Sequence, residues 1–222
     1  MLNRDFERTV SIYEQIPLQF NLAEYLLIRN AHQADKIAFY HADRSMTYGQ
    51  MQQFIPQFAG MLQALGARRE ERVVILLPDS LEFVVAYLGT IWNGNIGVLV
   101  NEAVSLNDIA YMLDNSRANI IVTTSDWQDK LAKFALPHLA DWVLIDDTFL
   151  GSLAAHRAVD TSPTCKDEPA FWAYTSGSTG KPKGVIHAHY SPIVACVHYG
   201  LSTLNLMVCP FCNFLSTISC GQ

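Results

Sequence analysis

A chain of 222 residues can form one large domain or two small ones around a substantial core. Half of the residues are hydrophobic and only 16% are charged, which points to a deeply buried sheet or to surface that meets another domain. A net charge of −6 removes any general electrostatic case for nucleic acid, and five cysteines, an odd number, do not make a disulfide framework. The opening stretch from Met1 to Arg8 has no apolar run of a signal peptide, so the expected location is cytoplasmic.

The elements alternate along the chain. Lys36 to Tyr40 reads as a strand. Thr47 opens a helix to about Leu65, stopped by Gly66, with Met51, Phe54, Ile55, Phe58 and Leu62 at helical spacing. Pro56 lies inside that helix and is expected to kink it. Arg72 to Leu77 is an apolar strand of the kind found in sheets covered on both faces. Ser80 then caps a helix to about Asn93, ended by Gly94, and Ile96 to Val100 is the next strand. Ser105 and Asp108 resemble a capping box at the start of a helix to about Asp114. A strand over Asn119–Thr123, a helix over residues 126–135 and a strand over Trp142–Ile145 follow, then a helix and polar connection over residues 151–169. This alternation predicts an α/β fold with a mostly parallel sheet flanked by helices.

The most informative segment comes next. The apolar run Phe171 to Tyr174 enters a stretch bearing Thr175, Ser176, Gly177, Ser178, Thr179, Gly180, Lys181, Pro182, Lys183 and Gly184, and Val185 and Ile186 follow at once. Glycines let a backbone approach an anion closely, so that successive N–H groups can form an anion nest. Hydroxyls add donors and the two lysines add charge, a combination suited to wrapping a polyphosphate. The pattern is not the G-x-x-x-x-G-K-[ST] loop, which needs Gly at 175 and Ser or Thr at 182, where this chain has Thr175 and Pro182. Because Pro182 cannot donate and fixes φ, the expected setting is strand–loop–strand. A flexible Gly/Ser linker has the same residue types, but two lysines and a proline between buried apolar runs are odd for one.

In that setting the chain resembles the N-terminal part of the adenylate-forming superfamily, which includes acyl-CoA synthetases, luciferases and peptide-synthetase adenylation domains. The segment Tyr174 to Gly184 is similar to the superfamily's phosphate-loop signature at nearly every position. The segments Phe20–Leu27, Asp35–Phe39, Thr47–Gly49, Asp108–Arg117 and Asp167–Trp172 resemble the benzoate–CoA ligase branch. The resemblance covers residues 15–206, and on it residues 1–206 are expected to be a partial N-terminal adenylation domain, with 207–222 an aberrant or truncated tail.

The resemblance implies an AMP-forming acid–CoA ligase that activates a carboxylic acid, aromatic such as benzoate, with ATP and then transfers it to CoA. ATP, Mg²⁺ and CoA are the implied cofactor and co-substrates. The implied ATP and pyrophosphate contacts are Thr175, Ser176, Gly177, Ser178, Thr179, Gly180, Lys181, Lys183 and Gly184. The family's catalytic lysine, adenine and ribose contacts, acidic Mg²⁺ ligand and acyl pocket have no counterpart here. Ligase activity of this chain alone is therefore not expected. A non-catalytic phosphate- or partner-binding fragment is the alternative in a different class.

The tail from residue 207 carries Cys209, Cys212 and Cys220. After Lys183 the chain holds no Asp, Glu, Lys or Arg, and such an abrupt change of composition is what a shifted reading frame or a sequence error would give. Cys209 and Cys212 have C-x-x-C spacing, with Cys220 and His198 as further ligands in a zinc or redox reading. Residues 193–218 are uncharged over a bilayer's width, but His198, Asn205, Pro210 and Asn213 interrupt them, and no membrane span is expected. His187 and His189 would share one face of a strand, with no third metal ligand nearby, so ordinary polar roles are expected. Asp146 and Asp147 read as a solvated turn, and Trp92, Trp127 and Trp142 as packing residues.

Overall fold

The computed structural model describes residues 12–175 and 180–201. Ser176, Gly177, Ser178, Thr179 and the cysteine-bearing tail, with Cys209, Cys212 and Cys220, lie outside the described residues.

A helix α1 (Leu22–Arg29) starts at Asn21, whose side chain accepts from the N–H groups of Ala23 and Glu24. The strand β1 (Ile37–His41) turns back at once into β2 (Arg44–Thr47), an antiparallel hairpin. The second strand of this hairpin is not foreseen in the sequence. Its turn uses Ala42 at φ +52°, a left-handed position that alanine rarely signals.

The helix α2 (Tyr48–Ala64) begins with a complete capping box. The Thr47 N–H donates to Gln50 Oε1 at 2.8 Å, and the Gln50 N–H returns to Thr47 Oγ1 at 3.2 Å. Pro56 does not end the helix, which runs through it over 17 residues. The next elements are β3 (Arg72–Ile75) and α3 (Leu81–Trp92), which is capped by Ser80 and stopped at Gly94 with φ +74°. Then come β4 (Ile96–Leu99) and α4 (Leu106–Ser116), where Ser105 accepts from the Asp108 N–H at 3.1 Å. After β5 (Ile120–Thr123), the helix expected over 126–135 is the shorter α5 (Ser125–Leu131), and β6 (Asp141–Leu144) follows. In place of a full helix after residue 151 there is a four-residue α6 (Phe149–Ser152), a 3₁₀ turn (Leu153–Ala155) and an extended connection. The described chain closes with β7 (Pro169–Thr175), β8 (Lys183–Ala188), α7 (Ser191–Ala195) and a π-helical turn (Cys196–Leu201).

Six strands form one sheet in the order β6-β5-β3-β4-β7-β8. All neighbours are parallel except β7 and β8, which pair antiparallel. Alternation along β3 explains the double cover. Val73 and Ile75 join one core with α1, α2 and α3, while Val74 and Leu76 join a second core with α4. On the first face α2 and α3 pack closely at Gly89, where an added Cβ would lie 2.6 Å from Phe58 Cδ1. As expected, Trp92 packs against the first core and Trp127 and Trp142 against the second.

Candidate phosphate-binding site

The order of strands places a crevice beside β3. The chain passes from β3 to β4 on one side, then returns past β3 to β5 on the other. Loops leaving the carboxyl ends of parallel strands part at such a point, and ligands of open α/β sheets bind there. A cleft of about 520 Å³ occupies this position. Its walls are Leu77 to Asp79 after β3, Asn101 to Val104 after β4, and Ala173 and Tyr174 at the end of β7. Two of its polar groups are already engaged. Asn101 Oδ1 accepts from the Ala103 N–H at 2.8 Å, and Glu102 Oε1 accepts from Trp127 Nε1 at 2.5 Å.

The glycine- and lysine-bearing segment spans the same edge. β7 carries the chain to Thr175 beside the cleft, and β8 brings it back from Lys183 directly opposite, since Thr175 and Lys183 are cross-strand partners. The strand–loop–strand setting deduced from Pro182 is therefore the one observed. Gly180 stands at φ +92°, which a side-chain-bearing residue would adopt only with strain. Gly184 differs: it is in the regular strand opposite Tyr174, and an added Cβ there would meet Trp172 and Tyr174 at ordinary contact distance, 3.5 Å. Thr175, Lys181 and Lys183 are all exposed. The Lys181 ammonium lies 5.0 Å from the centroid of the Tyr111 ring on α4. Tyr174 donates its hydroxyl to Asn115 Oδ1, also on α4, at 2.8 Å. Burial, with the nearby Tyr111 hydroxyl, pushes the Tyr174 phenol up to about 12, so it stays a neutral donor.

The base of the β7–β8 pair is held by residues to which sequence reasoning gave no role. Lys166 is buried and donates to the carbonyls of Tyr13 at 2.8 Å and Ile16 at 3.1 Å, with its ammonium 3.7 Å from the Tyr13 ring centroid. Asp167 accepts from the Tyr13 hydroxyl at 2.9 Å, and Glu168 receives Arg69 Nη2 at 2.5 and 2.6 Å. The strand exit returns to the same tripeptide: the His189 N–H donates to Glu168 O and the Tyr190 N–H to Lys166 O. His189 itself is buried, and its Nδ1 accepts the Leu22 N–H at 3.2 Å, the first amide of α1. His187 instead stacks on Phe171, with centroids 4.6 Å apart. The only advance signal was three consecutive charged residues, Lys166 to Glu168, directly before an apolar strand.

Two further sites need placing. An apolar cavity of about 370 Å³ lies among α1, β1, α2, α3 and Pro192, and draws no residue from 175–184. It lacks the converging polar groups that phosphate chemistry needs. Asp146 caps its own turn, accepting from the N–H and hydroxyl of Thr148 at 2.8 and 2.7 Å, and these bonds hold its carboxyl below the usual range.

Comparison with known proteins gives this geometry a family. The family model described as AMP-binding enzyme matches residues 27–216. The chain belongs to the AMP-binding enzyme family.

Among curated AMP-binding enzymes, a 4-hydroxybenzoate–CoA/benzoate–CoA ligase of Rhodopseudomonas palustris is 32% identical over 197 residues, 83% of this chain and 36% of that protein. A long-chain-fatty-acid–CoA ligase of Mycobacterium tuberculosis is 31% identical over 155 residues, 67% of this chain and 31% of its own length. Among solved AMP-binding enzymes, an anthranilate CoA ligase in complex with anthranoyl-AMP superposes with a TM-score of 0.78 at 26% identity, over 85% of this chain and 37% of that one. The chain thus spans about a third of the length of the relatives it matches.

Proposed function

We propose that this chain is the polyphosphate-gripping N-terminal part of an AMP-forming acid–CoA ligase whose acid is aromatic, such as benzoate. The observation that carries this is the position of the two ends of the Thr175–Gly184 segment, with Thr175 closing β7 and Lys183 opening β8 at the carboxyl edge of a parallel sheet and beside a polar cleft. The chemistry follows from leaving groups. A carboxylate does not acylate a thiol, because oxide would have to leave. Attack of the carboxylate on the α-phosphorus of ATP forms an acyl-adenylate and expels pyrophosphate, and the thiol of CoA then displaces AMP. The role of this segment is to hold the β- and γ-phosphates while charge grows on departing pyrophosphate, a positioning and electrostatic task. Thr175, Ser176, Ser178 and Thr179 supply hydroxyl donors, Gly177, Gly180 and Gly184 give the backbone close access, and Lys181 and Lys183 supply charge.

Two of the compared ligases carry aromatic acids in their names, which supports the aromatic choice over a fatty one. ATP acts as its Mg²⁺ complex in this reading. Among the described residues no cluster of three or more His, Cys, Asp or Glu could hold a metal ion. No described helix is long and apolar enough to cross a membrane, and the cytoplasm, which holds both ATP and CoA, is the compartment proposed for this reaction.

The test is complementation. This chain alone gives no benzoate-dependent ATP–pyrophosphate exchange. Mixed with the C-terminal two-thirds of the R. palustris relative, it restores benzoate-dependent exchange, and Lys181→Ala with Lys183→Ala in this chain abolishes it. Exchange by the chain alone contradicts the division of labour, and exchange that survives both substitutions contradicts the polyphosphate grip.

A further inference from the structure

Positions 174 and 181 flank the centre of the glycine-bearing segment, and both are tied to one helix. Tyr174 reaches Asn115 and Lys181 reaches Tyr111, residues one turn apart on α4. Tyr111 packs partly buried against the second core, so its ring has a fixed seat. Lys181 is exposed and carries its charge on a flexible stem. The ammonium has one place to be at a time. While it sits over the Tyr111 face it is held by the ring quadrupole, and that attraction is lost when the ammonium moves off the ring toward a phosphate oxygen.

We propose that Tyr111 is a positioning residue that holds Lys181 against α4, so that polyphosphate binding competes with the aromatic ring for the lysine. This rests on the reading of Thr175–Gly184 as a polyphosphate grip. Tyr111 touches no phosphate itself and acts only through Lys181. A parked lysine lowers apparent affinity by the fraction of time it is unavailable. For an exposed cation–π contact that factor is about two- to five-fold.

The experiment uses the 222-residue chain and inorganic pyrophosphate, with binding measured by calorimetry and the Lys181 ε-methylene resonances followed by NMR. In the free protein the Tyr111 ring current shifts those resonances upfield, and saturating pyrophosphate returns them toward their ordinary position. Tyr111→Leu removes the π face, tightens pyrophosphate binding about two- to five-fold and abolishes the upfield shift. Tyr111→Phe keeps the face and restores both wild-type affinity and shift. Lys181→Ala separates the two levels of the argument. If Lys181→Ala weakens binding while Tyr111→Leu matches wild type or binds more weakly, parking is overturned and the grip stands. Should Lys181→Ala bind as wild type does, or should the wild type not bind at all, the grip and the parking fall together. Resonances that stay upfield at saturation overturn the parking without recourse to any variant.

Discussion

His189 is a buried imidazole in a structural post, and its pH dependence can be worked out. Its Nδ1 accepts the first N–H of α1, so the folded state needs that nitrogen unprotonated. Burial holds the imidazole at about 4 against an ordinary 6.5, with Glu168 opposing the shift and Arg69 adding to it. The folded pKa is depressed, so below pH 6.5 the unfolded chain takes up a proton that the folded chain refuses. The stability contributed by neutral His189 is therefore full above pH 6.5, falls as the pH drops toward 4, and is flat below that. The interval from 6.5 to about 4 corresponds to ~3 kcal/mol, of which about 2 kcal/mol is lost between pH 7 and pH 4.5. Asn in place of His keeps an acceptor for the Leu22 amide but cannot titrate. Urea unfolding of wild type and His189→Asn at pH 7, 6, 5 and 4.5 isolates the effect, because other titrating groups cancel in the difference. His189→Asn starts at or slightly below wild-type stability at pH 7 and gains about 2 kcal/mol on it by pH 4.5. A constant difference across that range would refute the reasoning.

Other perturbations follow from particular contacts. Lys166→Met strips the charged donor from the carbonyls of Tyr13 and Ile16 and should cost roughly 2–3 kcal/mol in urea unfolding. Gly60→Ala would set a Cβ 1.9 Å from the Arg157 carbonyl oxygen, forcing the 157 segment off α2 and lowering the melting temperature by several degrees, whereas Gly151→Ala, with nothing within 4 Å, should leave it unchanged. Val185 and Ile186 are exposed on β8, which ends the sheet among the described residues. Ile186→Lys should reduce self-association in light scattering while changing stability by less than about 0.5 kcal/mol.

What could be read in advance was local. Ser80, Gly94 and Ser105 mark helix boundaries through bonds that span only a few residues, and the structure uses each as expected. The apolar run of β3 announced a sheet covered on both faces, and its successive residues Val73, Val74 and Ile75 are all buried. The Thr175–Gly184 segment stood out by its glycines, hydroxyls and lysines, and the two strands expected to flank it are β7 and β8. The misses are long-range or lack a compositional mark. Lys166 and Tyr13, or His189 and Leu22, lie more than 150 positions apart, and nothing in either neighbourhood names the other. The β1–β2 turn at Ala42 had no glycine or asparagine to signal it. The Tyr111–Lys181 contact joins a helix face to a turn that only the sheet order brings together.

The central claim is that Thr175–Gly184 grips a polyphosphate. The most direct test is an NMR titration of the ¹⁵N-labelled chain with pyrophosphate, wild type against a Lys181→Ala, Lys183→Ala double variant. The account predicts shifts concentrated on residues 174–184 and an affinity at least about ten-fold weaker in the double variant, the loss expected for charge-assisted bonds to phosphate. Equal affinity in the two proteins, or shifts centred elsewhere on the molecule, would contradict it.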